Sequence, residues 1–418
     1  MKPAFMIAAP TSGSGKTTIA RGLMALFSKK GFCVQPFKCG PDYIDTKFHT
    51  AVCHRPSINL DTFMATATHV KELFCHYSHD ADICIVEGMM GLFDGYHRDQ
   101  GSSAEIALTL GLPVVLVVDA RSAAYSLAAQ IYGFLNFRKD LNIVGIIFNK
   151  VGSERHFQML KQVCDDLHTE CFGYLPKTTA LEQGSRYLGL DFSTLPENEQ
   201  LIELLEAHVD WKRLSHLFSA LEDTSSISEN DYPSARGNRA FCVARNAESF
   251  SFIYQETLDR YGETYFFDPE TEEPSLNDID LLYLPGGYPE KHLEALVSNE
   301  AARTAIKAFA ERGGNIIAEC GGMMYLCEKI ITDDGEYPMC GVLPYTISAR
   351  TADRKLSLGY RQFTIDGKVF RGHEFHYTQF TTQLPSSVQV YNAKGEPVTT
   401  PVFRYKNVLA SYTHLYWI

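Results

Sequence analysis

Short, largely apolar runs punctuate the first half of the chain at 4–9, 82–86, 114–118 and 143–148, and Val and Ile dominate most of them. Runs of this length without polar alternation predict strands buried on both faces. The helix-length segments between them, such as 17–30, predict a parallel sheet covered on both sides. A polar residue follows each of the last three runs at once: Glu87, Asp119 and Asn149. These side chains are therefore expected at the carboxyl ends of strands, where open α/β sheets bind ligands.

The texture changes near residue 222. The stretch 222–238 is polar and turn-rich, the composition of a linker. A second alternation follows, with strands expected at 241–244, 281–284 and 315–318 and helices at 251–261 and 301–312. The stretch 388–417 reads as strand-rich. The chain has 418 residues, more than one hydrophobic core usually organises, so two domains are expected. The boundaries that follow are 1–225 for the first domain, 226–238 for the linker and 239–418 for the second.

Composition narrows the classes. With 45% hydrophobic and 21% charged residues, the chain is neither disordered nor collagen-like. Its net charge of −12 argues against a nucleic-acid partner. The 11 cysteines are odd in number and include no Cys-x-x-Cys pair, so zinc-ribbon and redox-motif readings lose support and a reduced, cytoplasmic compartment is expected. No apolar run approaches the roughly 18–20 residues of a membrane helix. The apolar start is not read as a signal peptide, because it leads straight into a glycine-rich loop that needs it as a strand.

That loop is Ala9-Pro-Thr-Ser-Gly-Ser-Gly-Lys-Thr-Thr. It follows a strand and opens a helix, the context a phosphate loop requires. Gly13 and Gly15 let backbone N–H groups turn towards phosphate oxygens, and the helix amino terminus adds a favourable dipole. Ser12, Ser14 and Thr18 complete the cradle. Lys16 is placed to reach the β- and γ-phosphates and Thr17 to ligate Mg²⁺. Pro10 stands where such loops usually begin with Gly. Asp42, Asp45, Glu87 and Asp94 are candidates for metal and phosphoryl-transfer work. Asn149 is read either as a contact to an adenine edge or as a strand-end cap.

In the second half, Cys320 lies between an expected strand and Gly-Gly at the start of a helix. This is the context of a nucleophile elbow, where a helix amino terminus is expected to lower the thiol pKa and supply oxyanion donors. Gly321 and Gly287 are the candidate donors, the latter from Leu284-Pro-Gly-Gly-Tyr-Pro-Glu. His414 is the candidate base. His373 and His376, in Gly372-His-Glu-Phe-His-Tyr, lack the spacing of a zinc helix and are read as a substrate-contacting loop, with a structural role as the alternative.

These motifs carry a resemblance over nearly the whole chain. The most specific pieces are the phosphate loop, Phe37-Lys-Cys-Gly-Pro-Asp-Tyr-Ile-Asp, Asn59-Leu-Asp, Val86-Glu-Gly-Met-Met-Gly-Leu-Phe-Asp-Gly, Ala318-Glu-Cys-Gly-Gly-Met-Met-Tyr-Leu and Gly372-His-Glu-Phe-His-Tyr. The first half resembles the ATP-dependent amidoligases related to dethiobiotin synthetase, a doubly wound P-loop sheet. The second resembles class I-type glutamine amidotransferase domains of the cobyric acid synthase subgroup, also α/β. In this order the pair is similar to the cobyrinic acid a,c-diamide synthase family. The resemblance implies that Cys320 and His414 release ammonia from glutamine. It also implies that MgATP activates the a and c acetate carboxylates of cobyrinic acid as acyl phosphates, with Asp42, Glu87 and Asp94 on metal and phosphate. Tyr43 and Asp45 fall in a segment expected to touch the tetrapyrrole. Two positions depart from the usual class I pattern. Tyr416 replaces the Glu of His-x-Glu, so a Cys–His dyad is expected, and Ala318 replaces a Gly.

Three alternatives stay open on sequence alone. The same chemistry could act on hydrogenobyrinic acid or Ni-sirohydrochlorin. A P-loop partitioning or assembly ATPase would account for the first half but leaves Cys320 and His414 unused. A binding module with an inactive second half is the third. Monomer and homodimer are not distinguished.

Overall fold

The computed structural model describes residues 2–177, 198–221, 240–260, 263–382 and 384–416. The chain divides into two compact units, 1–232 and 233–418. The expected linker at 226–238 lies outside the described residues.

In the first unit strands and helices alternate. The order is β1 (Ala4–Ala8), α1 (Lys16–Lys29), β2 (Val34–Cys39), α2 (Asp45–Cys53), β3 (Ile58–Leu60), α3 (Ala67–Ser78), β4 (Ile83–Glu87) and α4 (Ser103–Thr109). Next come β5 (Val114–Asp119), α5 (Leu127–Phe137), β6 (Ile143–Val151), α6 (Glu154–Asp166), β7 (Glu170–Pro176), α7 (Asn198–His208) and α8 (Trp211–Leu214). The seven strands form one sheet in the order β3-β2-β4-β1-β5-β6-β7, and every pairing is parallel. β1, β2 and β4 are buried at every position, as expected of strands with covered faces. The chain leaves β1 for β2 on one side and returns to its other side with β5. The phosphate loop therefore sits where the direction of winding reverses, the position at which such sheets bind ligands.

The second unit begins with β8 (Ala240–Ala244), α9 (Gln255–Arg260), β9 (Glu263–Phe267), β10 (Leu281–Leu284), α10 (Leu293–Ser298), α11 (Glu300–Glu311), β11 (Ile316–Glu319) and α12 (Gly321–Leu326). It continues with β12 (Cys327–Ile331), β13 (Glu336–Pro338), β14 (Leu343–Ser348), β15 (Ser357–Ile365), β16 (Lys368–His376) and β17 (Gln379–Phe380). The last strands are β18 (Val390–Asn392), β19 (Pro397–Val398), β20 (Val402–Tyr405), β21 (Val408–Ser411) and β22 (His414–Leu415). The main sheet runs β20-β21-β11-β10-β8-β9, parallel except for the β20–β21 hairpin. A four-stranded sheet, β13-β12-β14-β17, and a five-stranded one, β19-β18-β15-β16-β22, complete the unit.

The helix expected at 251–261 shortens to α9, and Phe252 instead bridges Gly286. The loop expected around His373 and His376 is β16, a nine-residue strand paired along its length with β15. Among the described residues no helix is long and apolar enough to cross a membrane.

Candidate active sites

β1 ends at Ala8, and the loop turns back into α1 through Gly13 (φ 79°) and Gly15 (φ 96°), both in the left-handed region that excludes most side chains. Gly15 also has no room for one: a Cβ there would lie 2.0 Å from Asn149 Nδ2. That amide donates to the Ser14 carbonyl at 2.9 Å, so Asn149, on β6 two strands from β1, braces the loop. Ser14 Oγ donates to the Thr11 carbonyl at 2.9 Å. The tip, Thr11 to Gly13, is exposed, with Ser12 at its centre. α1 carries no acidic side chain in its first turn, which leaves its positive end to an anion. Lys16 Nζ donates to the Met90 carbonyl at 2.5 Å. Thr18 follows on the first turn of α1, partly exposed.

Beside the loop lies a buried cluster of charge. Thr17 Oγ1 donates to Glu87 Oε1 at 2.6 Å and stands 3.4 Å from Asp45 Oδ2. Lys38 Nζ lies 2.6 Å from Asp45 Oδ2, 2.9 Å from Glu87 Oε1 and 4.0 Å from Asp42 Oδ2. Sheet register explains the centre of this cluster, because Lys38 on β2 pairs directly with Glu87 on β4. Helix periodicity explains another member: His49 is four residues after Asp45 on α2, and its Nε2 sits 2.7 Å from Glu87 Oε2. Burial alone would raise the Glu87 pKa, but Lys38, His49 and Thr17 hold it well below the ordinary carboxylate range. Burial pushes Asp45 up to about 6, assisted by Asp42 and Glu87 and opposed by Lys38. Burial would lower Lys38, yet Asp45, Glu87 and Asp42 together hold it well above its ordinary value. Asp42 Oδ1 accepts the N–H groups of Ile44 and Asp45, closing the turn that carries half-buried Tyr43. Asp94 is exposed, and its Oδ2 accepts the Gly91 N–H at 2.9 Å.

Thr17, Asp45 and Glu87 thus bring oxygen donors together at the foot of the phosphate loop. All-oxygen donors of this kind suit a hard divalent cation shared with phosphate. The residues present fit Mg²⁺.

In the second unit β11 and β21 run parallel, with Glu319 paired to Ser411. Cys320 follows the first strand and His414 the second, so both emerge at the same end of the sheet. Cys320 adopts φ 45°, ψ −109°, a backbone conformation rare outside Gly and held here by its N–H on the Ser411 carbonyl at 2.8 Å. A Cβ added to Gly286 would lie 2.1 Å from His414 Cε1 and 3.2 Å from Cys320 Cβ. The thiol carbon and the imidazole therefore border the same small space. A Cβ on Gly321 would lie 3.1 Å from the Gly287 nitrogen, which sets the two candidate oxyanion donors side by side.

The electrostatics differ from the sequence expectation. Burial and Glu290 push the Cys320 thiol up, and the Gly321 N–H opposes them without prevailing. The pull of the six-residue helix α12 is outweighed, and the thiol pKa stands above its ordinary value. Burial, with His373 and His376 close by, lowers His414 to about 3 against the pull of Glu374, so its imidazole is neutral near pH 7 and able to accept a proton. The resting pair is thiol and imidazole.

β16 separates its residues by alternation. Glu374 and His376 share one face, and His373 occupies the other, paired in register with His414. Glu374 Oε1 meets His376 Nε2 at 2.8 Å, while Oε2 accepts from Arg361 Nε at 2.6 Å and from Thr400 Oγ1. Burial would raise the Glu374 pKa, but these partners bring it down to about 2. His376 Nδ1 lies 2.8 Å from the Thr378 carbonyl, and its ring stacks on Tyr412 at 3.5 Å. Tyr416, at the position where class I enzymes usually carry Glu, is buried with its ring 5.1 Å from that of Tyr254.

A phosphate loop backed by a buried acidic cluster in one unit, and a strained Cys beside a neutral His in the other, define a nucleotide-binding domain joined to a glutamine amidotransferase. The comparisons agree. Residues 5–189 match the CobQ/CobB/MinD/ParA nucleotide binding domain, and residues 244–418 match the CobB/CobQ-like glutamine amidotransferase domain. The chain is 38% identical over 98% of its length to cobyrinate a,c-diamide synthase from Caldanaerobacter subterraneus, covering 94% of that protein. It is also 38% identical over 98% of its length to hydrogenobyrinate a,c-diamide synthase from Brucella abortus, covering 98% of that one. Against cobyrinate a,c-diamide synthase from Priestia megaterium the identity is 37% over 99% of this chain and 94% of the relative. The chain belongs to the cobyrinate/hydrogenobyrinate a,c-diamide synthase family, and it is an enzyme, a ligase that takes its amide nitrogen from glutamine.

Proposed function

We propose that this protein uses ATP and glutamine to convert the a and c acetate carboxylates of cobyrinic acid to amides by way of acyl phosphates. The convergence of Thr17, Asp45, Glu87 and Lys38 at the foot of the phosphate loop is the observation that supports this most directly. The names of the relatives supply the substrate class. Hydrogenobyrinic acid, whose name the Brucella relative carries, undergoes the same chemistry.

In the first unit, the backbone from Ser12 to Gly15 with Lys16, Thr17 and Thr18 binds the phosphates, and Asn149 keeps the loop in shape. Thr17, Asp45 and Glu87, with Asp42 and Asp94 on the adjoining loops, would hold Mg²⁺, which would supply charge neutralisation at the γ-phosphate. The substrate carboxylate oxygen attacks the γ-phosphorus, and ADP leaves. This turns a poor leaving group, oxide, into a good one, phosphate. Tyr43 belongs to the surface that meets the tetrapyrrole.

In the second unit, His414 takes the Cys320 proton as sulfur attacks the glutamine carboxamide carbon. The N–H groups of Gly287 and Gly321 receive the developing oxyanion. The proton passes to the departing ammonia, and water then hydrolyses the thioester to glutamate. His373 and His376 border this site. Ammonia displaces phosphate from the acyl phosphate, losing a proton and leaving the amide. Local release matters because free ammonia at neutral pH is mostly ammonium.

Positional isotope transfer tests the scheme. Substrate labelled with oxygen-18 in its carboxylates transfers one labelled oxygen to phosphate for each amide formed. Unlabelled phosphate alongside amide formation would exclude the acyl phosphate.

A further inference from the structure

The first unit carries an aromatic group that neither site uses. Phe93 stacks on Phe134 at 5.5 Å with 17° between the rings, and its edge meets Phe137 at 5.0 Å. This is unusual chemistry for a surface: Phe137 is 69% exposed, and nearby in sequence Met90 is 42% exposed. α5 supplies two of the rings yet buries only Leu127 and Ile131.

The position of Phe93 gives the group its meaning. It belongs to the segment that follows β4, between Gly91 and Asp94. That segment is tied to the phosphate loop, with Leu92 N–H on the Ala9 carbonyl at 2.8 Å and Lys16 on the Met90 carbonyl. The aromatic face is therefore continuous with the phosphoryl-transfer site. In the adjoining segments Arg98 and Lys139 are exposed, while Arg138, next to Phe137, is paired with Asp99 and Asp140, and exposed Asp94 follows Phe93. An exposed aromatic surface beside the phosphate site complements a ligand that is itself flat and apolar.

Resting on the function proposed above, we propose that Phe93, Phe134 and Phe137 form a platform for the macrocycle of the tetrapyrrole substrate, so that its acetate side chains project towards the γ-phosphate. A second copy of the chain could cover the same rings, but it would leave the continuity with the phosphate site without a purpose. Aromatic stacking also suits successive amidations, because a macrocycle can be released and rebound in a second orientation without reshaping the site.

Phe137→Ala is the first variant, because a residue so exposed contributes little to the core. Phe93→Ala and the conservative Phe137→Tyr accompany it in the full-length protein. The platform predicts that both alanine variants raise KM for cobyrinic acid about five- to tenfold while KM for ATP moves far less, and that Phe137→Tyr restores it. Direct titration of cobyrinic acid, followed by its visible absorption, weakens in parallel. Wild-type KM for the tetrapyrrole in both alanine variants would overturn the platform, as would a wild-type dimer that Phe137→Ala dissociates without changing KM. Failure of the wild-type protein to amidate any tetrapyrrole is a separate result. It would remove the functional reading itself, and the platform with it.

Discussion

Gly286→Ala places the test of the thiol site on a single methyl group. The new Cβ would lie 2.1 Å from His414 Cε1 and 2.8 Å from its Nδ1. Carbon atoms in contact normally keep roughly 3.5–4.0 Å apart, so the ring must retreat by more than about 1 Å. Neither backbone is free to give. The Gly286 carbonyl accepts from Ser251 and Phe252 at 2.9 and 3.0 Å, and His414 is paired with His373 across β16 and β22. Gly286 does not occupy the left-handed region, so the substitution adds no left-handed strain and acts through the clash with His414. A displacement near 1 Å at a reacting group costs on the order of 10²-fold in rate, about 2.7 kcal/mol. The assay compares amidation driven by glutamine with amidation driven by high ammonia. The first should fall about 100-fold in kcat/KM for glutamine, and the second should stay at the wild-type rate. Glutamine-driven activity within about threefold of wild type would refute the reasoning, since it would mean that the dyad does not use the geometry described.

Because burial holds His414 near 3, rather than its ordinary 6.5, the acid limb of kcat/KM for glutamine hydrolysis should lie below pH 5, and a limb near 6.5 would show the base to be solvated. The same depression means that the unfolded chain binds the proton more tightly, so thermal denaturation scans should show stability present above pH 6.5 and lost progressively as pH falls towards 3. Lys38→Met leaves Asp45 and Glu87 buried without their cation, and chemical denaturation should register a loss of roughly 3–5 kcal/mol. On α5, Gly133 has nothing within 4 Å of where a Cβ would sit, so Gly133→Ala should raise stability by roughly 0.5–1 kcal/mol in the same assay.

Much of the framework was legible because it depends on local rules. Apolar runs without alternation marked the buried strands, and the polar residues that end them did fall at the carboxyl edge of the sheet, as Glu87 does. The phosphate loop was legible because strand, glycines, Lys16 and helix are contiguous. What is not legible in the sequence depends on pairing between distant segments. Lys38 reads in sequence as an ordinary charge near a strand end; only its register with Glu87 makes it the centre of the acidic cluster. His49 is signalled only by its four-residue spacing from Asp45. The expected loop around His373 and His376 is a strand, whose alternation sends them to opposite faces and unites Glu374 with His376. The thiol pKa went the other way because burial outweighs the pull of one short helix, and burial is a property of the whole fold.

The central claim is that two sites on one chain join glutamine, ATP and a tetrapyrrole acid in a single reaction. Mass spectrometry of cobyrinic acid after incubation with the full-length protein, MgATP and glutamine tests it most directly, with hydrogenobyrinic acid in a parallel tube. The account predicts replacement of two carboxyl hydroxyls by amino groups, lost when either ATP or glutamine is withheld. An unchanged mass for both acids, with glutamine still hydrolysed, would contradict it.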